Sequence, residues 1–139
     1  MHKLSSLEIV RHVKRMTICA LVLSCATLAQ SQQAKIVRVP LQNHDLSIPD
    51  KVMVQVRAEF AETATSGRHT HPGEEIGYLL EGQLELKVDG QPTRILKPGD
   101  VFFIPAGVIH EGINTSSGTS KVIATYVVEK GKPVASPAN

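Results

Sequence analysis

HTHPGEEIGYLLEG, residues 69–82, and GDVFFIPAGVIHEGIN, residues 99–114, decide how this chain folds. On a β-strand, residues i and i+2 project to the same face, so His69 and His71 can converge on one ion without distorting the backbone. Pro72 and Gly73 then turn the chain, and Glu74 and Glu75 bring a carboxylate within reach of the same shell. His110 lies just past the turn residues Pro105, Ala106 and Gly107. A third imidazole from so far downstream would clamp the site and couple metal binding to the folded state. An H-x-H pair alone is a common surface feature. The nearby carboxylate and the distant third histidine make this one informative.

Outward from these segments, alternation dominates. Lys51–Phe60 reads KVMVQVRAEF, with Val52, Val54, Val56, Ala58 and Phe60 on one face and Met53, Gln55, Arg57 and Glu59 on the other. That is the period of a strand buried on at least one side. Further strands are expected over Ile36–Val39, Ile76–Leu80, Gln83–Val88, Thr93–Leu96, Val101–Ile104 and Val122–Glu129. Glu81-Gly82, Asp89-Gly90, Lys97-Pro98-Gly99-Asp100 and Pro105-Ala106-Gly107 separate them, and Asp89-Gly90 suits a tight hairpin. No helical pattern follows residue 32. Many short strands between turn signals predict a sandwich or barrel. NTSSGTS, residues 114–120, reads as a flexible loop, and residues 131–139 as a flexible C-terminal tail.

The two opening segments resemble the paired motifs of the cupin superfamily. His69, His71, Glu75 and Gly82 fall at the spacing of the first motif; Gly99, Pro105, Gly107, His110 and Asn114 fall at that of the second. There is one departure. The first motif opens with a glycine six residues before its first histidine, where this chain has Thr63, with a glycine only at Gly67. That leaves the approach loop open. The resemblance extends over residues 35–130 and is nearest to small, quercetin-dioxygenase-like single-domain cupins. It implies an all-β fold, a double-stranded β-helix or jelly-roll barrel, with a metal held inside by His69, His71, Glu75 and His110. The distance to Gly82 selects Glu75 over Glu74. Gly82, Gly99 and Gly107 read as turn residues, and Pro105 as the residue that fixes the chain where strand 101–104 ends.

Three imidazoles and one carboxylate make a mixed nitrogen–oxygen shell. It is a poor match for calcium or copper(I) and admits a divalent transition metal: iron, manganese, nickel, cobalt, copper or zinc. Four protein ligands leave room for water, substrate or dioxygen. The expected function is that of an exported metal-dependent enzyme, of oxygenase type, on a small organic substrate. Two alternatives stand beside it. One is an oxygen-independent lyase or isomerase on a sugar or organic acid. The other is a non-catalytic module binding metal or a small ligand, since no catalytic acid or base is evident outside the metal shell. No Ser/His/Asp order, phosphate loop or nucleotide fingerprint competes. A thin core with exposed sheet edges favours a homodimer.

Other residues carry less specific expectations. Gln55 and Arg57 would meet an acidic substrate if their face looked inward; a solvated face is favoured. Arg68 reads as a surface residue, Tyr78 and Phe103 as core, His44 as a loop histidine, and Asn114 as a turn or strand-end stabiliser.

The 139 residues are 42% hydrophobic and 20% charged, which fits one globular domain and excludes bulk disorder. The formal charge of +2 is unevenly spread. Lys3, Arg11, Lys14 and Arg15 face one acid, Glu8, before Gln30; the other 11 basic and 12 acidic residues leave the body near neutral. A nucleic-acid partner therefore loses its main support. Residues 16–29, MTICALVLSCATLA, are apolar but shorter than the ~20 residues a membrane span needs. With the basic residues before them, they predict a secretory signal peptide over residues 1–31, cleaved after Ala29 or Ser31, and a periplasmic or secreted protein. Val13–Met16 would make a more ordinary start, which points to an upstream start-codon assignment for residues 1–12. Val22–Cys25 resembles a lipobox, but Leu23 suits it poorly, so a lipoprotein is disfavoured. Cys19 and Cys25 both fall in the leader, so the mature domain can use neither disulfides nor thiolate ligands.

Overall fold

Antiparallel strands build all of the structure seen in the computed structural model, which describes residues 35–139. The leader expected over residues 1–31 lies outside them. The strands are β1 (Ile36–Asp45), β2 (Lys51–Phe60), β3 (His69–Thr70), β4 (Glu74–Glu81), β5 (Leu84–Val88), β6 (Arg94–Leu96), β7 (Val101–Ile104), β8 (His110–Asn114), β9 (Ser120–Glu129) and β10 (Ser136–Pro137). They form two five-stranded sheets, ordered β1-β2-β9-β4-β7 and β10-β3-β8-β5-β6. This is the expected all-β jelly-roll barrel.

Alternation turns one face of each strand inward. In β9, Val122, Ala124, Tyr126 and Val128 are buried while the residues between them are half exposed. Opposite them stand Leu84, Leu86 and Val88 of β5. On β2 the inward face is Val52, Val54, Val56, Ala58 and Phe60. Gln55 and Arg57 therefore point away from the barrel. Gln55 donates to Thr125 Oγ1 (2.8 Å) and Arg57 pairs with Glu59 (2.8 Å), which is the solvated-face reading.

Strand β1 is longer than the sequence pattern suggests. Pro40 breaks the alternation after Val39, and the register slips between Pro40 and Gln42 in a bulge before pairing resumes. An edge strand tolerates both, because one side of its backbone needs no partner. His44 thus sits in a strand, opposite Met53, and not in a loop.

Tyr78 and Phe103 also differ from expectation. They lie on the outer face, 44% and 56% exposed, with Ile76, Leu80 and Val101 beside them. The inward residues of β4 are Glu75, Gly77 and Leu79, and those of β7 are Phe102 and Ile104. The inner face of β4 carries a carboxylate and a glycine, so its outer face is the more apolar one. Polarity alone therefore points the wrong way. Gly77 is required by close approach: a Cβ there would fall 2.0 Å from the Phe102 ring.

The last segment, expected as a flexible tail, carries a strand. Ser136 and Pro137 pair with Thr70 and His69, and Ala138 N–H donates to the Arg68 carbonyl (3.0 Å). Two residues carry no readable period, which is why the pattern misses them.

Candidate metal centre

Strand pairing assembles the site. His69 on β3 lies in register with His110 on β8, and Glu75 on β4 lies beside Tyr126 on β9. His71 follows β3 at the turn into β4. The four donor atoms of His69, His71, Glu75 and His110 all lie within 4.8 Å of one another, and His71, Glu75 and His110 are buried. Glu75 is the inward carboxylate of the Glu74–Glu75 pair. All four residues singled out from the motifs converge.

Each imidazole is held by its other nitrogen. His69 Nδ1 lies 2.8 Å from the Gly67 carbonyl, His71 Nδ1 2.6 Å from the Val134 carbonyl, and His110 Nδ1 3.0 Å from the Val108 carbonyl. A carbonyl oxygen only accepts, so each ring carries a proton on Nδ1 and turns Nε2 inward. Glu75 Oε2 is 2.9 Å from His71 Nε2 and 3.0 Å from His110 Nε2. In a neutral ring protonated at Nδ1, Nε2 offers only a lone pair, here aimed at a carboxylate oxygen. An additional proton on the ring, or a cation among the donors, resolves that conflict. Donors around an ion with ~2.1 Å bonds sit ~3 Å apart, close to these separations. The cluster could hold a divalent metal.

Electrostatics follow from this crowding. Burial works to raise the Glu75 pKa, but the hydrogen bonds from His110 and His71 outweigh it and hold the carboxyl at about 2, against an ordinary 4.5. Burial lowers the His69 pKa, favouring the neutral imidazole that a metal needs, although the Gly67 carbonyl opposes it. At His110 burial is overcome by the bonds to Glu75 and to the Val108 carbonyl, and the pKa rises. The Tyr126 hydroxyl is pushed up by burial and by the Glu75 charge, so it stays protonated.

The approach loop that Thr63 leaves open is built as follows. Ala64 N–H donates to the Ala61 carbonyl (2.9 Å), closing a turn with Thr63 at φ 61°. Thr63 therefore adopts the left-handed backbone that a glycine favours. Thr65 Oγ1 donates to Glu111, and Ser66 N–H and Oγ exchange hydrogen bonds with the Gly112 backbone, tying the loop to β8. Asn114 ends β8 as a buried stabiliser. Its Nδ2 reaches the Phe60, Ala61 and Gly118 carbonyls, and its Oδ1 accepts from Ser116 and Ser120.

A small cavity, open to solvent at its mouth, reaches the cluster. Phe60, Leu84, Leu86 and Phe102 form its apolar wall; Arg38 and Tyr126 add polar groups that the sequence reading missed. Tyr126 belongs to an alternating run that looks like ordinary core. Arg38 belongs to a run too short to orient. Arg68 lies outside this lining and makes a bidentate pair with Asp89 (3.1 and 2.8 Å).

The sequence profile of the cupin domain matches residues 56–128. The chain belongs to the cupin family. Among curated proteins, this cupin is 32% identical over 79 residues to the HTH-type transcriptional regulator PuuR of Escherichia coli (strain K12), across 56% of this chain and 42% of that one. It is 48% identical over 42 residues to the dimethylsulfoniopropionate lyase DddQ of Ruegeria pomeroyi, across 30% of this chain and 21% of that one. The cupin thus spans less than half the length of these relatives. Among solved structures, recombinant oxalate oxidase in complex with glycolate superposes with a TM-score of 0.58 at 19% identity, over 78% of this chain and 57% of that one, which is a likeness of fold.

Proposed function

We propose that this cupin holds one divalent transition metal through His69, His71, Glu75 and His110 and is a metal-dependent enzyme, of oxygenase type, on a small organic substrate. One observation carries the reading: three imidazoles are pinned at Nδ1 with their Nε2 atoms gathered around a buried carboxylate. A metal bound there supplies Lewis acidity and a site for water or dioxygen. The chain itself supplies the rest. Phe60, Leu84, Leu86 and Phe102 exclude water from the substrate's body, and the Tyr126 hydroxyl keeps a proton beside Glu75. That buried phenol favours a second reading, an oxygen-independent lyase, in which a positioned proton carrier is needed. The segment identical at 48% to a lyase supports the same alternative.

The leader supports export to the periplasm or beyond, and the exposed apolar face of β4 and β7 supports a homodimer in which a second copy covers Ile76, Tyr78 and Phe103. Among the described residues there is no helix, so the helix-turn-helix named in PuuR has no counterpart there.

Metal analysis of protein from its native compartment, beside His110→Ala and Glu75→Gln, tests the site. Metal should be near one per chain in the native protein and lost in both variants; equal metal in folded variants would sink the proposal. Oxygen uptake with phenolic and small organic substrates, against turnover under anaerobic conditions, separates oxygenase from lyase. Light scattering showing one chain per particle would remove the dimer.

A further inference from the structure

Four arginines lie among the described residues, and three have partners. Arg57 pairs with Glu59, Arg68 with Asp89, and Arg94 donates to the Val101 carbonyl. The Arg38 side chain has neither an ion pair nor a hydrogen bond among the described residues. Yet it lines the cavity. On β1 Arg38 lies on the same side as Ile36, which packs against the core, and stands opposite Ala58, with its own side chain exposed at the cavity's rim. Its guanidinium is therefore solvated and free to meet an incoming anion at the mouth. Among the described residues Glu75 is the only acid lining the cavity, and its Oε2 faces two imidazoles. With a divalent metal in place and neutral imidazoles, the lining would carry a positive charge that no described residue of the lining balances.

We propose that the cavity takes a small organic anion, a carboxylate on an apolar body, and that Arg38 is the residue that recognises its charge. The inference rests on the proposed reading of the cavity as the ligand site. The guanidinium offers paired N–H donors at the mouth, matching both carboxylate oxygens. Phe60, Leu84, Leu86 and Phe102 provide the surface for the apolar body. Inward-pointing charges also occur on edge strands as guards against sheet-to-sheet pairing, and β1 is an edge strand. The experiment must separate these roles.

Benzoate and hexanoate, with their neutral amides benzamide and hexanamide, are titrated by NMR into the zinc-loaded and metal-free full chain. Zinc is used because it binds without turnover. The carboxylates should bind at least ~10-fold more tightly than the amides. Arg38→Gln should bring carboxylate affinity down to the amide level, and Arg38→Lys should restore part of it. The Arg38 dependence should persist in metal-free protein. Zinc content, measured on the same samples, should be equal in wild type and both variants; loss of zinc from wild type would count against the metal site and leave the anion test standing. Equal binding of acid and amide, or undiminished carboxylate binding by Arg38→Gln, would overturn the proposal. Self-association of Arg38→Gln with carboxylate binding intact would make Arg38 an edge guard and overturn it equally.

Discussion

Ending the chain at Lys132 removes the Val134 carbonyl, which accepts from His71 Nδ1 at 2.6 Å. It also removes β10, which pairs with the segment carrying His69, and the bond from Ala138 N–H to the Arg68 carbonyl. Partners of this kind fix the tautomer and aim of a ligating imidazole, and their loss costs about 10–100-fold in metal affinity. That equals roughly 1.4–2.7 kcal/mol. Competition for zinc against a chromophoric chelator at neutral pH reads it directly. Two controls divide the effect. Val134→Ala keeps the backbone carbonyl and should hold zinc within about threefold of wild type, a change below 1 kcal/mol. A chain ending at Ala135 keeps the carbonyl but lacks β10, and should fall between. Circular dichroism confirms that each variant is folded. Undiminished zinc affinity in a folded chain ending at Lys132 would refute the reasoning. So would Val134→Ala losing as much as the truncation, because side-chain packing would then account for the loss.

Three other outcomes follow from the same geometry. Thr63→Gly relieves a β-branched residue of its left-handed backbone, and after the entropic cost of glycine should stabilise the fold by up to about 1 kcal/mol; urea unfolding with no gain would show the turn unstrained. Gly77→Ala drives a methyl into the Phe102 ring and should cost about 1–3 kcal/mol, with Phe102 displaced toward the cavity; an unchanged unfolding midpoint would contradict the packing. In metal-free protein the Glu75 carboxyl, at about 2 when folded and 4.5 ordinarily, contributes stability that is present above pH 4.5 and lost as pH falls toward 2. The loss is about 3 kcal/mol, and Glu75→Gln should abolish it in urea titrations at stepped pH.

The strands and the ligand cluster were legible for different reasons. Lys51–Phe60 could be bounded to the residue because alternation there is unbroken, and Val101–Ile104 because turn residues, Pro98-Gly99-Asp100 and Pro105, bracket a short apolar run. The four donors could be named because they fall in the paired motifs that resemble those of cupins, and strand pairing brings those motifs together in the barrel. What stayed hidden depends on orientation. Alternation separates two faces of β4 without saying which looks inward, and the inner face there is the more polar one. Arg38 and Tyr126 are ordinary strand residues until the barrel closes around them. Strand β10 exists only because β3 offers it an edge.

The bond between His71 and Val134 also orders events in time. Strand β9 must arrive before β4 has its second neighbour, and residue 134 comes later still. A chain growing from the ribosome therefore makes His69, His71, Glu75 and His110 well before it makes the group that locks one of them. Firm metal retention would then mark a chain synthesised at least through residue 134, and a chain clipped short of it would be left as a leaky chelator.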